Sequence, residues 1–588
     1  MTETQTHHSP VASAHEPGHD HDDGHGHGHD HPPARPFTRL RLLLQPERRD
    51  IFAIILFAFA VAVLSLATPI AVETLVNTVA FGILMWPVIV IATVLMCCLG
   101  LAATIRAMQV YVIECLQRRL FVRVVADYAY RLPRLRLESF DYRYGPELVN
   151  RFFDVLNVQK SAATLLIDGV SVIVTAGVGM IVLAFYHPFL LGFDIILIAL
   201  MAFLMFGLGW GGIRTSLEES HAKYDVAAWL EELLRCLRAF KFASGQTLAL
   251  HKADQLANQY VRAREQHFRI VWRQTLFAFG VQVVASTTLL GLGGYLVITQ
   301  QLTLGQLVAA EMIVTLVVAS VSRLGKYAEV FYDLMAGAEK LGLITDLPLE
   351  REGGETPPDS GKGITIRVRG VDHIIRHSLP TASELTIAAN ERVAIVGPPG
   401  SGKTTFFEFL CGLRESRHGR VEIDGIDIRS LSLEYLREQM ALVEWSDIFI
   451  GTVHENVRVG RTHLSAADVR DALQVVGLLG VVHDLPQGLE TQLVPSGRPL
   501  SASQALRLTI ARAIAGRPRL LILDGVLDAL DLRECPELLP CLFDRQNPWT
   551  LLVASANPVV VGLCDRIISL SATDLTRLAQ FTEPGSNP

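Results

Sequence analysis

Uncharged stretches alternate with basic, helix-forming ones through the first three hundred residues. Ile51–Val72 and Phe81–Ile105 carry no charge, and neither does Gly169–Phe193. That last run resumes beyond Asp194 as Ile195–Ile213. Gln274–Ala310 is also uncharged but too long for one crossing, and it breaks at Thr299-Gln300-Gln301. Beyond Glu311, Met312–Ser322 completes a last run. Roughly 20 apolar residues in a helix cross the hydrocarbon core of a bilayer, so the pattern predicts six crossings.

The connections alternate in character. Those after crossings one, three and five (Asn77–Gly82, Tyr186–Pro188, Thr299–Thr303) hold no Lys or Arg. Those after two and four are long and basic, with Arg118, Arg119, Arg123 and Arg131 in one and Lys223, Arg235, Arg238 and Lys241 in the other. The flank before the first crossing is basic as well. Positive charge stays on the cytoplasmic side, so both termini and both long connections are expected there. A large soluble helical bundle would not gather its basic residues on alternate connections. The two long connections, about 107–165 and 214–273, are good helix formers that extend the membrane helices inward. Gly145-Pro146 and Gly245-Gln246 mark their turnaround points.

A polar linker, 346–362, rich in Pro and Gly, separates this half from a soluble domain, 363–588. There the periodicity changes to short apolar runs between turn residues. Val393–Val396 reads as a buried parallel strand. Gly397-Pro398-Pro399-Gly400-Ser401-Gly402-Lys403-Thr404-Thr405 follows it, then a helix-compatible run. Strand, glycine-rich loop and helix N-terminus together make a cradle for phosphate. Lys403 is placed to reach the β- and γ-phosphates, and the Thr404 hydroxyl to ligate Mg²⁺. Leu520–Asp524 is a second buried strand ending in a carboxylate, the expected partner of Thr404 on the metal. The two motifs point to a nucleoside triphosphate with Mg²⁺.

Composition narrows the class. Of 588 residues, half are hydrophobic and 19% charged, fitting a membrane protein with a soluble domain. A net charge of −7 gives no sign of nucleic-acid binding. The eight cysteines show no ligand or disulfide spacing. Residues 1–34 lack Lys and Arg and carry His21, His25, His27 and His29 among interleaved aspartates. They cannot bury a core and are expected to be disordered, with weak affinity for Zn²⁺, Ni²⁺ or Cu²⁺. Of the two acids within the apolar runs, Asp194 reads as a protonated or paired carboxylate near the outer interface. Glu311 reads equally well as that or as part of a wet pathway for cationic groups.

The soluble domain resembles the nucleotide-binding domain of ABC transporters almost end to end. Gly419–Ile428 is similar to the family's hairpin, and Gly451–Val457 to the segment behind its Q-loop. Leu500-Ser501-Ala502-Ser503-Gln504 resembles the signature sequence, and Asp528–Asp531 the D-loop. The membrane half resembles the six-helix exporter type, with Gly145–Arg151 where its first coupling helix lies. The resemblance implies an all-α membrane domain, 35–345, joined to an α/β P-loop NTPase domain. It further implies a bacterial inner-membrane half-transporter that dimerises and binds ATP between one phosphate loop and the partner's Ser501 and Gln504. The partner is a second copy or a different half-transporter, and the exported substrate is not named by any motif. With so few residues ahead of the first crossing, and no cysteine among them, no N-terminal peptidase domain is expected.

The family's catalytic residues are altered. Its catalytic glutamate aligns with Gly525, its switch histidine with Ala556 and its Q-loop glutamine with Glu444, while LSGGQ has become LSASQ. The adenine-stacking aromatic has no clear counterpart, His373 being nearest. Glu444 and Asp528 are the carboxylates left as substitutes to orient water. The implied turnover is slow or lost, leaving three readings: a working exporter, the degenerate half of a heterodimer, or an ATP-binding membrane regulator.

Overall fold

The computed structural model describes residues 36–81, 85–141, 145–242, 244–358, 361–369, 384–415 and 419–570. The tail carrying His21, His25, His27 and His29 lies outside them, as does His373. The chain divides into two compact units: Met1–Val125 with Val149–Ile344, and Ala126–Leu148 with Thr345–Pro588.

Six helices of the first unit are long and apolar enough to cross a membrane: Pro36–Thr78, Trp86–Arg134, Arg151–Tyr186, Pro188–Arg235, Gly245–Ile298 and Leu304–Thr345. They match the six runs of the sequence, and this is an integral membrane protein. The last part of the second helix belongs by its contacts to the other unit. Apolar residues face outward along every span, as Phe52, Val94, Ile181, Phe206, Val283 and Leu304 do, as expected where the solvent is lipid. The buried faces are lined by Leu, Ile and Val, with small residues where two spans come close. Gly179 of the third span is one such place, since a Cβ there would stand 3.0 Å from Val317 of the sixth. Both turnaround points are observed. Gly145–Asn150 is a short helix of its own. Gly245 opens the 54-residue fifth helix after a left-handed Ser244.

The fourth span is not continuous. Pro188–Ala202 runs as an α-helix, Phe203–Gly207 widens into a π turn, and Gly211 (φ +86°) precedes a new start at Gly212. The glycine-rich Gly207-Leu-Gly-Trp-Gly-Gly212 is the local cause, because glycine costs a helix most and tolerates the left-handed region.

The second unit is an α/β domain. Its strands are β1 (Ile366–Arg369), β2 (Glu384–Ile387), β3 (Arg392–Val396), β4 (Arg420–Ile423), β5 (Ile426–Asp427), β6 (Met440–Val443), β7 (Gly451–Thr452), β8 (Gln492–Leu493), β9 (Leu520–Asp524), β10 (Thr550–Ala554) and β11 (Arg566–Ser569). A parallel sheet in the order β11-β3-β10-β9-β6 forms the centre, beside an antiparallel sheet β2-β1-β4-β5. The parallel strands are near-continuous apolar runs because both faces are covered. Phe406, Phe407 and Leu410 of the helix Lys403–Leu410 fill the space between the two sheets. Leu508 and Ile510 of the helix Ala502–Ala515 cover the other face with Leu521, Leu523 and Val553. Ala126–Leu148 joins this unit through backbone bonds: Arg136 N donates to Pro348 O at 3.2 Å and Glu350 N to Arg134 O at 2.8 Å.

Candidate functional site

The site forms at the carboxyl ends of the parallel strands, where side chains and turns are free of the ladder. In the sheet order β3 and β9 flank β10, with Ala554 in register with Ile395 on one side and Asp524 on the other. The turn after β3, the end of β9 and the turn after β10 therefore converge on one crest.

The phosphate loop leaves β3 at Gly397. A Cβ at that position would lie 2.7 Å from Ser401 Oγ, so only glycine admits the tight return of the loop. Gly402 (φ +88°) is the left-handed residue from which the helix Lys403–Leu410 starts. Lys403 Nζ donates to Gly397 O (2.9 Å) and Pro398 O (3.1 Å), which folds the ammonium over the mouth of the loop. Thr404 is exposed at the helix start, and its hydroxyl donates to Asp524 Oδ2 at 2.5 Å. A hydroxyl and a carboxylate held side by side are hard oxygen donors of the kind Mg²⁺ takes. Gly397 to Thr405 and Asp524 thus sit together, as the spacing anticipated.

Beyond Asp524, Gly525 adopts φ +70° and donates its N–H to Ala554 O at 2.9 Å. A Cβ there would meet nothing within 4 Å. Asp528 lies close to the turn after β10. Its Oδ2 accepts from Ala556 N (2.8 Å), and its Oδ1 accepts from the Ser555 hydroxyl and from Asn557 N (3.3 Å). That carboxylate is committed to holding the turn that carries the switch position. Glu444 follows β6, the strand beside β9, and is half-buried. Burial, then the neighbouring charges of Glu408 and Asp524, push its carboxyl above the usual range.

Ser501 and Gln504 are placed differently. Ser501 caps the helix Ala502–Ala515, with Gln504 N donating to its hydroxyl (3.2 Å) while Gln504 Oε1 accepts from Ser501 N (2.8 Å). This reciprocal box satisfies two backbone donors at the helix N-terminus. No hydrogen bond among the described residues joins either side chain to the phosphate loop.

Some members of the site are not visible by motif. Ser555 and Asn557 could have been found only through Asn557-Pro558, a helix cap followed by proline, and Asn557 Oδ1 does accept from Val559 N. Glu408, Arg414 and Asp141 have no local signal at all. Arg414, four residues past the phosphate-loop helix, pairs with Glu408 at 2.5 Å and bidentately with Asp141, at 2.8 and 2.6 Å. The bond to Asp141 raises the Arg414 guanidinium and holds the Asp141 carboxyl low. The phosphate-loop helix is tied in this way to the segment that leads into Gly145–Asn150.

Residues 381–527 match the ABC transporter family model. An uncharacterized ABC transporter ATP-binding protein of Bacillus subtilis is 31% identical over 284 residues, 47% of this chain and 49% of that protein. The ATP-dependent lipid A-core flippase of Methylococcus capsulatus is 30% identical over 357 residues, 58% of each chain. The exotoxin translocation ATP-binding protein of Pasteurella aerogenes is 25% identical over 488 residues, 81% of this chain and 67% of that one. The match thus spans only 49% and 58% of the first two relatives. A bacterial Atm1-family ABC exporter, solved with ATP bound, has the same fold: TM-score 0.77 at 20% identity, covering 92% of this chain and 99% of that one. Residues 381–527 are thus an ABC transporter domain, and with its six long apolar helices the chain has the fold of an ABC exporter.

Proposed function

We propose that this chain is one half of an ATP-driven exporter of the bacterial inner membrane, with both termini in the cytoplasm. The observation that carries this reading is the joining of Thr404 to Asp524 across β10, beside an intact phosphate loop. Lys403 and the loop N–H groups supply positive potential for a triphosphate. Thr404 and Asp524 are the residues that would hold Mg²⁺, whose chemistry is to neutralise charge developing on the phosphates. Ser501 and Gln504, capping a helix away from the loop, fit a second half-transporter completing the nucleotide site. A dimer is therefore part of the proposal. ATP closes the two nucleotide domains, and the short helix Gly145–Asn150 takes that closure toward the membrane helices by alternating access.

Glu444 is the residue proposed to orient the attacking water, since Asp528 already spends its oxygens on the switch turn. A half-buried carboxylate with raised proton affinity suits a general base better than a fully solvated one. The Methylococcus relative is named as a lipid A-core flippase and the Pasteurella relative as an exotoxin translocation protein, which supports export as the class of work. The two names differ in cargo, and no cargo follows for this chain.

Steady-state ATP turnover of the full chain reconstituted in lipid tests the proposal. Expected are Mg²⁺-dependent turnover, its loss in Lys403→Ala, and its loss with retained ATP binding in Glu444→Gln. Turnover that appears only with a second half-transporter would replace the homodimer with a heterodimer. ATP binding without turnover in either setting would leave a membrane-bound regulator.

A further inference from the structure

Asp194 sits six residues into the fourth span and is only 3% exposed. Leu190 and Leu197 flank it on the same face, both in an apolar cluster with Leu183 of the third span, Leu289 of the fifth and Ile313 of the sixth. Neither carboxylate oxygen has a hydrogen-bond partner among the described residues. The titratable side chains on the facing stretches do not serve it. Tyr186 donates to Glu73 at 2.7 Å, Tyr295 is exposed, and Glu311 has an unpartnered buried oxygen of its own. An unpaired carboxylate among apolar side chains at membrane depth is strongly disfavoured, whereas the neutral acid is tolerated.

The helix that carries Asp194 is also interrupted lower in its span. Below it the helix widens into a π turn at Phe203–Gly207, where Leu208 N still donates to Phe203 O, and breaks at 208–211, where another span takes over a freed carbonyl. Gln274 of the fifth span donates to Leu204 O (3.2 Å) and to the hydroxyl of Tyr332 on the sixth (3.2 Å). Gly209 permits this approach, because a Cβ there would lie 2.6 Å from that hydroxyl. The stretch Pro188–Gly207 is therefore separated from Gly212–Arg235 by a break at 208–211 that a polar stitch braces, the arrangement that lets helix halves move separately.

We propose that Asp194 is a proton-binding site of the membrane domain. Its proton is held while Pro188–Gly207 packs against the third, fifth and sixth spans, and passes to water when that stretch swings away. The step balances by itself: an O–H bond forms as the carboxylate takes a proton from water, and the same proton returns to water on opening. By linkage, lower pH favours the packed arrangement and higher pH the open one.

Dicyclohexylcarbodiimide, which adds to protonated carboxyl groups in apolar surroundings, is the probe, applied to the full-length protein in lipid nanodiscs without nucleotide. Peptide mass spectrometry is expected to find the adduct on Asp194 near neutral pH. The melting temperature of the wild type is expected to fall from mildly acidic to mildly alkaline pH, and that of Asp194→Asn, a neutral isostere, to stay level. No adduct on Asp194, or the same pH slope in the Asn variant, overturns the proposal. Neither readout needs ATP turnover, so its failure is separate from any failure of the export reading.

Discussion

Gly525→Glu puts a carboxylate where the resemblance to ABC transporters places the catalytic base, and the structure sets both its cost and its room. The residue adopts φ +70°, which an L-residue with a side chain pays about 1–2 kcal/mol to occupy. Nothing stands within 4 Å of the new Cβ, so no packing clash adds to that strain. A domain with a typical stability of about 5–15 kcal/mol stays folded after such a loss. A positioned general base is worth about 10²–10⁴ in rate, or about 2.7–5.5 kcal/mol of barrier at about 1.36 kcal/mol per decade. The gain on the barrier exceeds the strain on the fold, and in a Glu444→Gln background, which removes the proposed base, turnover of Gly525→Glu is expected to rise by about 10²-fold or more. The assay is steady-state ATP hydrolysis in nanodiscs. Gly525→Gln serves as the control with the same backbone strain and no base, and Lys403→Ala/Gly525→Glu as the control without nucleotide grip. Equal rates for the Glu and Gln variants would refute the reasoning, because the site would then be limited by something other than water activation.

Three further outcomes are expected. Glu444→Gln lowers turnover by about 10²-fold. Because burial and the charges of Glu408 and Asp524 raise the proton affinity of Glu444 in the fold, its ionisation opposes folding as pH rises through the folded value. The Gln variant is therefore more stable than the wild type at neutral to alkaline pH, and the difference closes in acid, as melting curves across pH would show. Arg414→Ala lowers the stability of the nucleotide domain by about 1 kcal/mol after discounting for screening, since Asp141 is 35% exposed. The loss shrinks in high salt, and the reversed pair Arg414→Asp/Asp141→Arg recovers part of it. Asp524→Asn keeps the bond to Thr404 as a neutral contact but reduces Mg²⁺-dependent ATP affinity, measured as the difference in nucleotide binding with and without the metal.

Local pattern was enough to specify much of this protein. Six apolar runs of bilayer length need helices, because backbone polar groups have no other partner in lipid. Gly397–Thr404 and Leu520–Asp524 needed only their own neighbours to be read as a phosphate loop and a metal-carboxylate strand, since each motif's chemistry lies within one strand and its turn. The short helix at Gly145 and the restart at Gly245 were legible for the same reason: glycine breaks a helix wherever it stands. Tertiary structure decided what depends on groups distant in sequence. Asp528 has the right residue type and place to orient water. Only the fold shows its oxygens bonded to Ser555, Ala556 and Asn557, because β10 returns beside β9. Arg414 and Asp141 stand 273 residues apart, and the contact that ties the phosphate-loop helix to the segment leading into Gly145–Asn150 exists only once the chain closes it. Asp194 read as an acid in an apolar run. Whether it found a partner was a question about the faces of three other helices, and their described residues offer none.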